Sequence, residues 1–150
     1  MANRNIMKKT SLTLILPQIL SNHKEWFSSK GREGIFADLS EENLRGANFR
    51  NCNLVEANLQ ASDLCYADFS DADLRGANLL EAQLKGAKLE NANFEETDLM
   101  WANLKGASLE NTRFDGAYLQ GANLKDTGIK LSQIEFAFTD EDTQLPDNIH

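Results

Sequence analysis

The chain has 150 residues, with 15 Lys and Arg against 23 Asp and Glu, for a formal net charge of -8. That length suits one domain with a real core, and the acidic balance disfavours direct binding to nucleic acid or an anionic membrane. No apolar run reaches the ~20 residues of a bilayer span, and two Cys and two His are scant material for a metal centre or a disulfide scaffold.

Residues 12–29 predict a helix, because Leu16, Ile19, Leu20, His23, Trp26 and Phe27 share one face at helical spacing. Pro17 suits its first turn and Gly31 its stop. His23 beside Trp26 reads as a packed, hydrogen-bonded residue rather than a catalytic base. An export signal starting at Met7, with Lys8 and Lys9 as its charged region, is the competing reading. LTLIL is short for such a signal, Pro17 interrupts it and no small-x-small site follows, so a cytoplasmic location is expected.

From Leu39 to Ile134 every fifth residue is Leu, Phe or Ile, twenty positions in all. Two residues before each stands a small residue, mostly Ala, with Glu42 as the one charged exception. Asn or Asp usually sits between the two series. A helix would rotate such a series by ~140° per repeat, and a flat strand would send it to alternate faces. The backbone must therefore turn once per unit, with the large and small residues inside. A second period sets the number of sides: LKGAKLENANF (84–94) returns as LKGASLENTRF (104–114), and Phe49 and Phe69 pair at the same interval of twenty, as do Phe94 and Phe114. Four sides of five residues make one coil, and like residues stack between coils.

Units such as ADLSE (37–41), ANLQA (57–61), ADFSD (67–71) and ANLLE (77–81) resemble the pentapeptide-repeat family. The resemblance implies a right-handed, four-sided parallel β-helix, an all-β solenoid of about five coils. At the ~4.8 Å spacing of paired strands the rod is roughly 24 Å long. The expected organisation is an N-terminal segment 1–36 with a capping α-helix, a rod at 37–136, and a C-terminal cap or tail at 137–150. The HKEW stretch of the first segment resembles the lead-in of many bacterial members. Bare solenoid ends expose apolar surface and unpaired backbone, which is why both ends need covering.

Nothing in the sequence assembles chemistry. No phosphate loop, metal spacing or nucleophile elbow is present, and no cofactor is expected. Cys52 falls in an inward slot as an inert thiol; Cys65 should face outward, on a different side and coil. The surface says more. Leu80, Met100, Trp101 and Tyr118 fall on one outer side, in slots that should face water, and Tyr66 lies on the next side. Two readings of this apolar patch stand level: it docks a partner, or the helix or tail covers it. The side of Tyr66 is basic, with Arg45, Lys85, Lys105 and Lys125. The other two read as acidic, one with Asp68, Asp71, Glu90 and Glu110, the other with Asp73, Glu95, Glu96, Asp115 and Glu135. Charge ladders of this kind chiefly keep a rod solvated.

The expected function is a non-enzymatic protein-binding or scaffold module. Its partner and oligomeric state are not legible. The alternative is a DNA-mimic modulator of a type II topoisomerase, a gyrase inhibitor or quinolone-protection type, as the resemblance implies for some members. The basic side, the short rod and the short polar tail depart from that type.

Overall fold

The computed structural model describes the backbone of residues 3–150 and the side chains of Leu12 and residues 14–150. Met7, Lys8 and Lys9, on which the export reading rests, lie outside the described side chains. Helix α1 runs Asn3–Ser28. A coiled repeat follows, interrupted near its end by a short helix α2, Leu131–Ile134.

The repeat pairs at an interval of twenty. Parallel bridges join Asp38 to Asn58, Asn58 to Asn78, Asn78 to Asp98 and Asp98 to Tyr118, and the other three sides carry matching series. Within a side only the Asn/Asp position pairs in this way, because a corner intervenes every five residues. The pairing is therefore a stack of single bridges rather than of long strands. Leu39 N–H donates to Asn58 O at 2.7 Å, and Asn58 N–H to Ala37 O at 3.0 Å.

Each corner is a turn closed from the residue after it, as Ala57 N–H donates to Leu54 O at 3.0 Å. The third turn residue has a positive φ at every corner from Glu41 to Asp126, for example Asn51 at 59° and Gly76 at 65°, the signature of a type II turn. The polar series now has its reason. Its side-chain oxygen accepts the N–H of the first corner residue, as from Arg50 to Asn48 at 3.0 Å and from Met100 to Asp98 at 3.0 Å. Asn and Asp are the residues short enough to close that bond.

The large series is buried at all twenty positions from Leu39 to Ile134. Phe49 stacks on Phe69 at 4.6 Å between ring centroids, and Phe94 on Phe114 at 5.6 Å. Where the small series carries buried hydroxyls, these bond to backbone: Thr97 Oγ1 donates to Leu74 O at 2.7 Å, and Thr112 Oγ1 to Leu89 O at 2.8 Å. Four positions of the small series are not fully buried, Ala47 among them. Glu42 and Cys52 are half-buried, near the rod's α1 end, and Ser132 is exposed because α2 breaks the fourth side. There the Gln133 side chain substitutes for ladder donors, giving its Nε2 hydrogens to Leu109 O and Thr112 O.

Helix α1 is longer than its apolar spacing suggests, and Pro17 lies in its interior rather than its first turn. Proline there leaves one carbonyl of the preceding turn without its helical donor, which an exposed site lets water satisfy. Leu16 is buried in the rod's core cluster, with Leu12, Ile19 and Leu20 packed beside it. His23 is fully buried. Its Nδ1 accepts the Ala37 N–H at 3.1 Å, which puts the proton on Nε2, and Nε2 donates to Val55 O at 3.0 Å. The ring stacks on Trp26, and Phe36 packs edge-on to both. Gly34 brings its backbone against α1: a Cβ there would collide with Asn22 O and Trp26 N.

The tail keeps closer register than its composition suggests. Phe138 bridges Tyr118, and Gln144 bridges Asn123. Leu145 and Ile149 pack on the core, and Leu131 N–H donates to His150 O at 2.9 Å.

Candidate functional site

The five-residue units assign every outward residue to a side. The first side comprises 37–41 and its equivalents at intervals of twenty, ending at 137–141. Leu80, Met100, Trp101 and Tyr118 all lie on it, as the spacing requires. Trp101 is 55% exposed and Tyr118 43%, while Leu80 and Met100 are half-buried. Neither α1 nor the tail hides the two aromatics.

Trp101 stands at a corner with φ 59°, a left-handed backbone that bulky residues rarely adopt. Its indole lies flat over Gly121, one coil on, where any Cβ would collide with the ring. Gly121 is buried beneath it. Tyr118 stacks on Phe138 at 5.1 Å. Phe138 is 51% exposed, and Phe136, at the adjoining corner, is 67% exposed. Both aromatics were missed as site residues in the sequence. The signal was present, since the twenty-residue register carried four positions past Ile134 puts Phe138 on Tyr118.

Tyr66 does not join this group. It occupies the corner at the far edge of the second side, two coils toward α1. There its ring covers Gly86, and the Arg45 guanidinium sits 5.4 Å from its centroid. Cys65, expected to face outward, is buried. Asp63, Arg45 and the Lys85 backbone crowd it, and burial pushes its thiol pKa up, as it does that of Cys52. Neither thiol is activated.

The two sides read as acidic carry their carboxylates with arginines seated among them. Arg50 pairs with Asp71 at 3.3 Å, Arg75 with Asp73 at 2.6 Å, and Arg113 reaches both Glu95 and Asp115. Asp68 is held below the usual carboxylate range by bonds from Ser70, with lesser help from Arg50 and Lys88. Glu90 takes a bond from Ser70 Oγ at 3.3 Å. Glu96 lies along Gly116, and no ion pair holds Glu110 or Glu135 among the described residues. The first side is different. It carries Asp38, Glu41, Glu81, Asp98, Asp140 and Glu141 and no Lys or Arg at all. None of these six enters an ion pair among the described residues. Sequence reasoning sorted the sides by their ladders and passed over the absence of cations on this one.

Two cavities flank the ends. One of 510 Å³ lies between α1 and the first coil, lined by Leu12, Leu16, Pro17, Leu20, Leu44 and Cys52 among others. Another of 540 Å³ lies beside α2, between Glu90, Glu110 and Gln133. Neither gathers a nucleophile with a base. Among the described residues no helix is long and apolar enough to cross a membrane.

A four-cornered coil with this sequence register has known counterparts. The pentapeptide-repeat family matches in eight copies, over residues 35–64, 43–79, 77–100 and 97–127, and the chain belongs to that family. Its members fold as right-handed quadrilateral β-helices. A pentapeptide repeat protein of the Arabidopsis thaliana thylakoid lumen is 38% identical, with a TM-score of 0.64 over 67% of this chain and 70% of that one. A pentapeptide repeat protein from Nostoc PCC 7120 superposes with a TM-score of 0.60 at 23% identity, over 87% of this chain and 86% of its own, a likeness of fold. A plasmid-mediated fluoroquinolone resistance protein matches at a TM-score of 0.34 and 17% identity, over 71% of this chain and 78% of its own. No curated relative matches the chain.

Proposed function

We propose that this chain is a non-enzymatic docking module of the cytoplasm: a rod of five coils at 37–136, capped by α1 of segment 1–36 and by the tail 137–150. Its first side takes a partner protein. The observation that carries this reading is Trp101, a large aromatic held half-exposed at a strained corner where its neighbour in the next coil is glycine. Trp and Tyr dominate the energetics of protein interfaces, because a large rigid surface is buried at small entropic cost. Tyr118, Met100 and Leu80 extend the same surface along the rod, and no group on it would perform chemistry.

The alternative, a carboxylate rod presented to a topoisomerase groove, is weakened by the arginines among Asp71, Asp73, Glu95 and Asp115. No effect on gyrase supercoiling is expected. The direct test is a photo-crosslinking amino acid at position 118, compared with one at Asn91 on the third side, in cells. A partner adduct from 118 and none from 91 is expected. Adducts from 91 alone, or equal adducts from both, would overturn the assignment of the first side.

A further inference from the structure

We infer that the partner docks on the first side through a basic segment, an arginine or lysine placed beside an apolar residue. The inference rests on the docking reading above and gives its chemistry. Three observations converge on it. First, the side bears Asp38, Glu41, Glu81, Asp98, Asp140 and Glu141 with no Lys or Arg of its own. Carboxylates that no neighbouring cation neutralises set a negative potential over the surface they share. The third and fourth sides carry similar numbers of acids, but Arg50, Arg75 and Arg113 bond to them.

Second, the apolar groups in the midst of these acids are aromatic rings. The face of an aromatic ring is its negative pole, and it attracts a guanidinium or ammonium set above it. The chain itself shows the pairing on its second side, where Arg45 lies over Tyr66 at 5.4 Å. On the first side Trp101 and the Tyr118–Phe138 stack stand in the open, with no cation over them among the described residues.

Third, the same side holds an acceptor without a donor. The Gln120 side-chain oxygen is buried and has no hydrogen-bond partner among the described residues. A buried acceptor left unpaired costs free energy that a donor would recover. Gln120 is only half-buried as a residue, and its terminal amide turns freely about a soft torsion. That turn presents the oxygen to an arriving N–H, and a guanidinium brings five. Its neighbours on the side are Met100 and Asp140, so acceptor, apolar contact and carboxylate fall together.

Other occupants are disfavoured on the same grounds. A nucleic acid or another acidic face meets like charge here. A second copy docking through its own first side would set unpaired carboxylates against unpaired carboxylates.

The test is selection of a random peptide display library on the full chain, with counter-selection on Trp101→Gly. Glycine suits the positive φ at that corner, so the variant keeps its fold. The expected winners carry Arg or Lys beside an apolar residue. Their affinity is expected to fall about tenfold on the Glu81→Gln, Asp98→Asn, Glu141→Gln triple variant, and to weaken as salt rises. Asn at position 98 preserves the corner bond. Winners that need Trp101 but carry no basic residue would overturn the basic partner and leave the docking surface standing. Winners indifferent to Trp101 would overturn both. Salt-insensitive self-association of the chain, lost in Trp101→Gly, would assign the side to a second copy and overturn the inference.

Discussion

The two ends of the rod solve one problem in different ways. At the α1 end the chain leaves the repeat altogether and lays a helix across the opening, with Leu16 in the core and His23 bonded to both Ala37 and Val55. At the other end the repeat weakens and then slips by one residue: Phe138 still pairs with Tyr118, Gln144 pairs with Asn123 one position late, and Leu145 and Ile149 close over the core. The first solution turns its aromatics on one another: His23 is fully buried, with Trp26 half-buried against it and Phe36 at the outer edge. The second displays them: Tyr118 and Phe138 keep outward slots of the ladder and stay 43% and 51% exposed. The display of Tyr118 and Phe138 therefore accompanies the ladder running on, and the burial of His23 the ladder being abandoned.

The comparison can be broken hardest at Gly34. Alanine there collides with α1 backbone, which cannot yield as a side-chain tip could. Gly34→Ala is expected to cost about 3 kcal/mol and to loosen the helix end alone. Denaturant melts, with hydrogen exchange along α1, check it; α1 amides protected as in the parent would contradict the close approach. Between the ends, Ala82→Leu forces a large side chain into a fully buried small slot. A loss of about 1–3 kcal/mol is expected in the same melts.

The next lever is acidity. Burial lowers the His23 pKa, against smaller opposing effects of the Val55 carbonyl and Glu56. A histidine with a depressed folded pKa takes up its proton more readily when unfolded. Stability at the α1 end should thus fall as pH drops below about 6.5, the unfolded value, until the folded value is passed. Asp140, bonded by Gly121 N–H, is held below the usual range. Its contribution at the tail persists above about 4 and is lost only at lower pH. Exchange rates followed from pH 7 downward, on the order of one unit per step, should show α1 amides loosening before those of 137–145. The reverse order would refute this account of the two ends. The smallest effect is a gain: Trp101→Gly removes left-handed strain and should stabilise the rod by about 1 kcal/mol, read as a raised melting temperature.

The repeat was legible because its physics is local and recurrent. An apolar residue every fifth position admits few backbones, and the Phe pairs set the side count. What escaped the sequence depended on neighbours twenty residues away. Cys65 sits in an outward slot, yet the flanking coils close over it. Pro17 looked like a helix start, but α1 is held by its contact with the rod and not by its own punctuation. The first side was identified for its apolar groups, whereas its charge character emerged only when ion pairs could be assigned across coils. Phe138 was lost to a tail whose composition no longer matched the repeat, though its spacing did.

The interval of twenty has a consequence for how such a chain can change length. Removing twenty residues from the middle deletes one storey: the rod shortens by ~4.8 Å, and Trp101 keeps its bearing relative to α1. Removing five also leaves a good repeat, but everything beyond the cut swings by a quarter turn. The lysines of the second side would then stand below a foreign face, and the aromatics would look out in a new direction. Indels in this molecule therefore act as a compass setting, and only whole storeys preserve the heading.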